Sequence, residues 1–391
     1  RTFIEPNRLN IHAFIAPHAG RIVTTPQGYA AFVPAPLPPA LDLGMDLVRE
    51  LSRADAALAG LSALGRQLPN PRLLVAPWLR REAVLSSRIE GTRATLSDVL
   101  IDELAGDTVP RDAAGDVREV RNYVEALEYG LGRLKTLPLS LRLVRELHER
   151  LMTGVRGNVA TPGEFRRSQN FIGPPGGTLE SAVYVPPPVA EMHEALRKWE
   201  AFLHVRDELP DLIQCALMHE HFEAIHPFLD GNGRIGRLLV TLFLVERGRL
   251  SQPLLYLSDY IDATRGEYYE LLQRVRTHGD WRAWIRYFLA GVAAVSEAAS
   301  AQAGKLLALR ETLRARLAAH PRAVALIDEL VRNPYIHVAQ AERLLGVSNP
   351  TARSAVNALV KEGVLEEITK RSWGKLYVAR PVLAIIQGPE G

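Results

Sequence analysis

His226-Pro227-Phe228-Leu229-Asp230-Gly231-Asn232-Gly233-Arg234-Ile235-Gly236-Arg237 is the stretch on which the reading of this chain turns. An imidazole, a carboxylate, a Gly-Asn-Gly turn and two arginines fall within one loop's length. Residues 211–224 before it and 233–247 after it carry helical apolar spacing, so the loop joins two helices and ends at a helix N-terminus. Glycines there let the backbone approach an anion, and the N–H groups of the first helical turn point at it. Arg234 and Arg237 are three apart and share a helix face; two guanidiniums beside such a nest suit two phosphate groups. Asp230 is placed to be an oxygen ligand of Mg²⁺, which binds through a carboxylate and phosphates. His226 is the other titratable base of the loop.

Two competing patterns fail on context. Residues 231–236 spell G-x-G-x-x-G, but a dinucleotide fold needs a strand before that run, and here the preceding residues are helical. His219 and His221 lack the i, i+4 spacing of a zinc-binding helix and are read as helix packing.

Outward from the loop, helical patterns recur at 40–70, 77–90, 115–135, 139–152, 189–205, 265–278 and 281–295. The strand signal is confined to a hairpin near 169–186, turning through 173–177. Residues 1–39, with prolines at 34, 36, 38 and 39, read as an extended, partly ordered arm. Near residue 305 the pattern changes: helices at 322–332, 338–345 and 349–362, with Asn349 as cap and Pro350 in the first turn. Strands at 364–368 and 375–378 follow. Three helices and a two-stranded wing give a winged helix-turn-helix.

At 391 residues, with 47% hydrophobic and 23% charged residues, the chain has material for two or three domains. The net charge of +3 is uneven. From Lys305 onward 13 Lys/Arg face 8 Asp/Glu, a balance of +5, leaving −2 for the rest. The tail is therefore the nucleic-acid candidate. Cys215 is the single cysteine, which excludes an intrachain disulfide and fits a cytoplasmic protein. No apolar run is long enough to cross a bilayer and no secretory signal is visible, so no membrane partner is expected. The chain begins at Arg1 rather than Met, which reads as a truncation.

The loop resembles the signature of the Fic family, His-x-Phe-x-Asp/Glu-Gly-Asn-Gly-Arg-x-x-Arg, at every specified position. The resemblance extends over roughly residues 40–295. It implies an all-α fold, a helical bundle with a small β-hairpin flap, here joined to the winged helix-turn-helix. It implies transfer of AMP from ATP, with Mg²⁺, to a hydroxyl side chain of a target protein. His226 would be the base and Asp230 would hold the metal. Gly231, Asn232 and Gly233, with Gly236 closing the turn, would serve the α-phosphate. Arg234 would take the β-phosphate and Arg237 the γ-phosphate, with Phe228 as a buried anchor. Ala182, Val183, Tyr184 and Val185 resemble the family's flap, whose edge would pair with an extended target segment. Tyr268 and Tyr269 resemble positions that contact adenine. Relatives often dimerise, so a homodimer is one expected assembly.

Ser86-Ser-Arg-Ile-Glu90-Gly91 has helical spacing with Gly91 as its stop. It resembles the family's inhibitory motif, Ser/Thr-x-x-x-Glu-Gly/Asn. The implied device is a competition in which Glu90 claims Arg237 from the γ-phosphate.

In the tail, the helix at 349–362 would offer Asn349, Thr351, Arg353, Ser354 and Asn357 to a major groove. Lys370, Arg371 and Lys375 of the wing would meet phosphates, while Glu362, Glu366 and Glu367 oppose this. Expected domains are 1–110 (arm and inhibitory helix), 111–300 (catalytic) and 305–391 (winged helix). The reading is an autoinhibited protein adenylyltransferase. Its alternatives are transfer of another nucleotide moiety such as UMP, removal of AMP, or a nucleotide-sensing DNA-binding regulator.

Overall fold

The computed structural model describes residues 13–25, 28–67, 70–105, 114–155, 161–174, 176–369 and 374–388. In chain order the elements are β1 (Gly20–Thr24), β2 (Ala30–Pro34), α1 (Met45–Gln67), α2 (Arg72–Ile89), α3 (Leu96–Ala105), α4 (Ala114–Arg133), α5 (Leu141–Met152) and α6 (Val189–Leu203). Then come α7 (Asp211–Ile225), α8 (Asn232–Glu246), α9 (Ser258–Ala263), α10 (Arg265–His278), α11 (Trp281–Arg316) and α12 (Pro321–Arg332). The chain closes with β3 (Tyr335–His337), α13 (Val338–Leu345), α14 (Asn349–Lys361), β4 (Glu366–Glu367), β5 (Leu376–Val378) and α15 (Arg380–Gln387). The fold is the mostly helical one expected. Among the described residues no helix is long and apolar enough to cross a membrane.

Two compact units emerge. The first holds residues 1–57, 125–249 and 257–294; the second holds 58–124, 250–256 and 295–391. α11 runs to Arg316, through the change of character near residue 305.

The first unit is built around α7, in which every residue from Leu212 to Ile225 is buried. A helix buried on all sides, its Gln214, His219, Glu220, His221 and Glu223 included, stands at the centre of a bundle. Its polar backbone stays satisfied from outside as well. The Trp199 indole donates to the Met218 carbonyl (2.9 Å) and the Trp284 indole to that of Ala216 (2.8 Å).

Two expectations are corrected here. Described residues of the supposed arm form an ordered antiparallel hairpin, β1 with β2, in register Gly20↔Pro34 to Thr24↔Ala30. Ala31 and Phe32 are buried. These strands are five residues each; Ile22, Val23, Thr24, Phe32 and Val33 are strand formers, and the burial of Ala31 and Phe32 anchors the hairpin. Conversely, the hairpin expected at 169–186 is reduced to one bridge, Ile172↔Tyr184, and a single 3₁₀ turn over Leu179–Ser181. Prolines at 174, 186, 187 and 188 remove ladder donors there.

In the second unit, α12, α13 and α14 stand with a three-stranded antiparallel sheet ordered β3-β5-β4. β3 is a strand that sequence reading missed. Ser348, not Asn349, caps α14; the Asn349 amide donates instead to Glu342 Oε2 (2.9 Å). Lys370 and Arg371, assigned to the wing, lie outside the described residues. β3 and its flanks hold α3: Asn333 Nδ2 donates to the Leu100 carbonyl (2.9 Å) and Tyr335 Oη to Ser97 Oγ (2.8 Å). His337 Nε2 lies 3.3 Å from the Leu104 carbonyl.

Candidate active site

α7 ends at His226, whose backbone is left-handed (φ 49°, ψ 61°) while its N–H still reaches the Phe222 carbonyl (3.0 Å). A non-glycine residue in this region is uncommon and costs roughly 1–2 kcal/mol. The chain turns again at Gly231 (φ 80°), the cap of α8. A Cβ on Gly231 would stand 2.9 Å from Sδ of the flexible Met152, which could yield, so the positive φ is what calls for glycine there.

Between the two turns the loop is locked by its own residues. Asn232 Oδ1 accepts the Phe228 N–H (2.8 Å) and Asn232 Nδ2 donates to the Phe228 carbonyl (2.8 Å). Sequence reading gave Asn232 to the α-phosphate. The structure commits its amide to Phe228, and the residue is only 2% exposed. Asn170 Nδ2 donates to the Phe228 carbonyl as well (2.8 Å).

Three supporting residues were not found from sequence. Besides Asn170, they are His148 and Arg166. The His148 ring stacks on Phe228 (3.7 Å between centroids, 5° between planes). Its Nδ1 accepts the Gly163 N–H (3.0 Å), so the ring proton sits on Nε2, 3.0 Å from the Asp230 carbonyl. Burial lowers this imidazole to about 4, which keeps it neutral and the tautomer fixed. Arg166 is fully buried and contacts the His226 carbonyl. All three come from segments 56 to 82 residues distant in sequence, and no local motif marks them.

α8 begins at Asn232, so its first-turn N–H groups have no partner within the helix, and its positive dipole end faces the loop. Arg234 and Arg237 are both buried, 3% exposed each. Arg234 pairs with Asp230 Oδ1 at 3.5 Å, the outer limit of a hydrogen bond. Asp230 itself is 59% exposed, and its Oδ1 accepts the Gly231 N–H (2.5 Å). An exposed carboxylate beside a helix N-terminus suits Mg²⁺, which keeps most of its waters and takes its other ligands from phosphates. Among the described residues no group of three or more His, Cys, Asp or Glu could form an all-protein metal cage.

Gly236 allows α8 to close on α7, since a Cβ there would strike the Glu223 carboxylate. Its carbonyl accepts from His219 Nδ1 (3.0 Å), and His219 Nε2 accepts from the Tyr268 hydroxyl (2.9 Å). Tyr268 is thereby a core residue, 1% exposed, whereas Tyr269 is 44% exposed. Of the two tyrosines only Tyr269 has surface to offer a base.

At the flap, Val183 and Tyr184 donate to the Ile172 carbonyl (2.8 and 3.1 Å), and Ile172 donates to that of Tyr184 (2.8 Å). Phe32 of β2 donates to the Val185 carbonyl (2.9 Å). Ala182 is buried too, so Val183, 58% exposed, is the flap residue that faces outward. The Tyr184 ring lies under the Arg276 guanidinium (4.1 Å), and its hydroxyl donates to the Ala224 carbonyl (2.6 Å).

In the second unit, α2 stops as the sequence predicts. Glu90 is the C-cap and Gly91 turns at φ +100°. The Gly91 N–H meets the Arg88 carbonyl (3.0 Å) and the Thr92 N–H meets that of Ser87 (3.2 Å). These two bonds make a Schellman motif. Ser86 is buried and Glu90 is exposed.

Comparison with known proteins adds three findings. The family model described as Fic/DOC family matches residues 138–244, and the one described as Fic/DOC family N-terminal matches residues 48–132. Curated relatives named Protein adenylyltransferase Fic include one from Drosophila willistoni, 27% identical over 244 residues (61% of this chain, 45% of the relative). Another, from Nematostella vectensis, is 28% identical over 208 residues (52% and 44%). The chain thus spans about half the length of the curated relatives it matches. A crystal structure of a Fic family protein from Desulfovibrio desulfuricans G20 shares the fold with TM-score 0.53 at 23% identity, covering 88% of this chain and 98% of that one. A Fic domain containing signaling protein from Bacteroides thetaiotaomicron VPI-5482 does so with TM-score 0.51 at 19% identity (64% and 95%).

Proposed function

This chain belongs to the Fic/DOC family, and from that premise we propose that it is a protein adenylyltransferase, moving AMP from ATP to a Ser, Thr or Tyr hydroxyl of a target protein or of itself. One observation carries the reading. His226 is held left-handed at the end of α7, one short loop from an α8 N-terminus that bears two buried arginines. His226 takes the proton of the attacking hydroxyl. The hydroxyl oxygen bonds to the α-phosphorus, the α–β bridging bond breaks, and pyrophosphate leaves. The first-turn N–H groups of α8, Gly233 among them, hold the α-phosphate, and the Gly231 N–H joins them by leaving Asp230 Oδ1. Arg234 holds the β-phosphate and Arg237 the γ-phosphate. Asn232 keeps the loop in shape. Asp230 would hold Mg²⁺, which would supply charge to offset that of the phosphates. Val183 presents the flap to an extended target segment.

Glu90 regulates the site in this reading, by claiming Arg237 from the γ-phosphate and leaving the α-phosphate misaligned. A charge-assisted bond is worth about 1.5–3 kcal/mol, or about 10- to 150-fold, enough for a brake. The test is mass spectrometry of the protein after incubation with ATP. Glu90→Gly is expected to raise the yield of protein carrying one AMP by at least about tenfold, and adding His226→Ala to remove it. An unchanged rate in Glu90→Gly would sink the brake. Tight ATP binding without transfer, even in Glu90→Gly, would make the catalytic half a nucleotide sensor. A mass gain of UMP, or loss of AMP already carried, would assign one of the other activities.

A second reading concerns the tail, and we propose duplex DNA as its partner. Asn349, Arg353, Ser354 and Asn357 are exposed on α14, and three of them fall at i, i+4, i+8 on one stripe. Titration with duplex DNA in rising salt is its test.

A further inference from the structure

Arg166 is buried to 0% exposure, and among the described residues no carboxylate pairs with it. A buried guanidinium is costly unless its donors and its charge are answered. Here main-chain carbonyls answer them. Nε donates to His226 (3.0 Å), one terminal nitrogen to Ser168 (3.2 Å) and the other to Pro187 (2.5 Å). The residue's own N–H donates to the Pro227 carbonyl (2.9 Å). The His226 carbonyl stands at the C-terminus of α7, where the negative end of the helix dipole compensates a cation. Burial lowers the guanidinium to about 10, so it stays charged at neutral pH.

Three carbonyls on three different stretches require a planar fork; an ammonium offers one point. One stretch carries His226 and another, through Pro187, ends the flap segment. The left-handed backbone of His226 is strained and persists only if its surroundings over-determine it. Its carbonyl is held by Arg166 and by Asn170 Nδ2 (3.2 Å).

We propose that Arg166 is a positioning residue that fixes the strained His226 peptide and ties it to the flap, so that base and acceptor hydroxyl are aligned by one guanidinium. This rests on the adenylyltransferase reading for its kinetic consequence, but not for its structural one. Arg166→Lys keeps the charge and loses the fork. In the Glu90→Gly protein it is expected to lower kcat for AMP transfer by about 100-fold, the scale of a 1 Å misplacement. The KM for ATP should stay within about twofold, since the α8 grip is untouched. In Arg166→Ala, millimolar guanidinium should restore part of the rate, which methylammonium should not. Resonances of the ¹⁵N-labelled His226 ring should shift in Arg166→Lys and move back with guanidinium in Arg166→Ala. A KM for ATP that rises as far as kcat falls would overturn the proposal. So would an unmoved His226 ring, whether or not the protein transfers AMP. If the parent protein transfers no AMP while the ring shifts as stated, the activity reading fails and the positioning role stands.

Discussion

A histidine forced left-handed, a guanidinium held by carbonyls and imidazoles kept neutral by burial all store instability around one loop. The imidazoles give it a measurable pH signature. Burial lowers His148 and His219 to about 4 and His221 to about 3, from 6.5. As pH falls below 6.5 the unfolded chain takes up these protons and the fold does not, so stability drops. Burial acts oppositely on Glu220, raising its carboxyl from 4.5 to about 7 despite Arg276 at 3.4 Å. The fold then binds a proton that the unfolded chain releases above 4.5, which gains stability on acidification from 7 to 4.5. Three imidazoles against one carboxyl leave a net uptake of two protons on unfolding between about pH 6.5 and 4.5. The expected loss is about 3 kcal/mol per pH unit at its steepest. Urea midpoints at pH 6.5, 5.5 and 4.5 check it; a flat or rising series would contradict these burials. Residues 226–237 were legible because their chemistry is contiguous. His148, Asn170 and Arg166 were not, because only the fold brings them to the loop. Tyr268 was half legible: a tyrosine near a nucleotide site and a tyrosine in a core look alike until burial is known.

At the scale of elements, the end of α2 sets where Glu90 points. Gly91 sits at φ +100° with open space around it, so a side chain there meets no clash and only backbone strain. Gly91→Ala is expected to destabilise by about 1–2 kcal/mol, and Gly91→Asn by less, since asparagine tolerates positive φ. Urea unfolding of the two variants decides it; an alanine variant as stable as the parent would remove the Schellman argument. This stop was legible because a glycine after helical spacing has one mechanical use. β1, β2, β3, α3, α9 and α15 were not. They are short, and several pack on elements distant in sequence, such as α3 on β3 and α15 on α2. The flap misled in the other direction: of residues 182–185 only Val183 is exposed, and a bridge stands where a ladder was expected.

Across the whole molecule, the basic balance of the tail gives a prediction about partners. If α14 enters a duplex groove, fluorescence anisotropy should show affinity falling steeply and log-linearly with salt. Lys375 is already paired with Glu367 (2.8 Å) and Arg380 with Glu366, so these two cations should add little to that slope. Absence of duplex binding at low salt would end the DNA reading. The mostly helical class was readable from apolar spacing alone. The joining of residues 58–124 with the tail in one unit was not, because it depends on contacts more than 200 residues apart in sequence.

That joining distributes evolutionary freedom unevenly. Asn333 reaches the carbonyl of Leu100, and the His337 ring lies against that of Leu104. Every amino acid supplies a carbonyl, so these contacts make no demand on the side chains at 100 and 104, and Leu100 is fixed only by its burial in the core. The burden of inheritance falls on Asn333 and His337, whose side chains have no generic substitute. A tail exchanged between lineages would dock only if it brought both along.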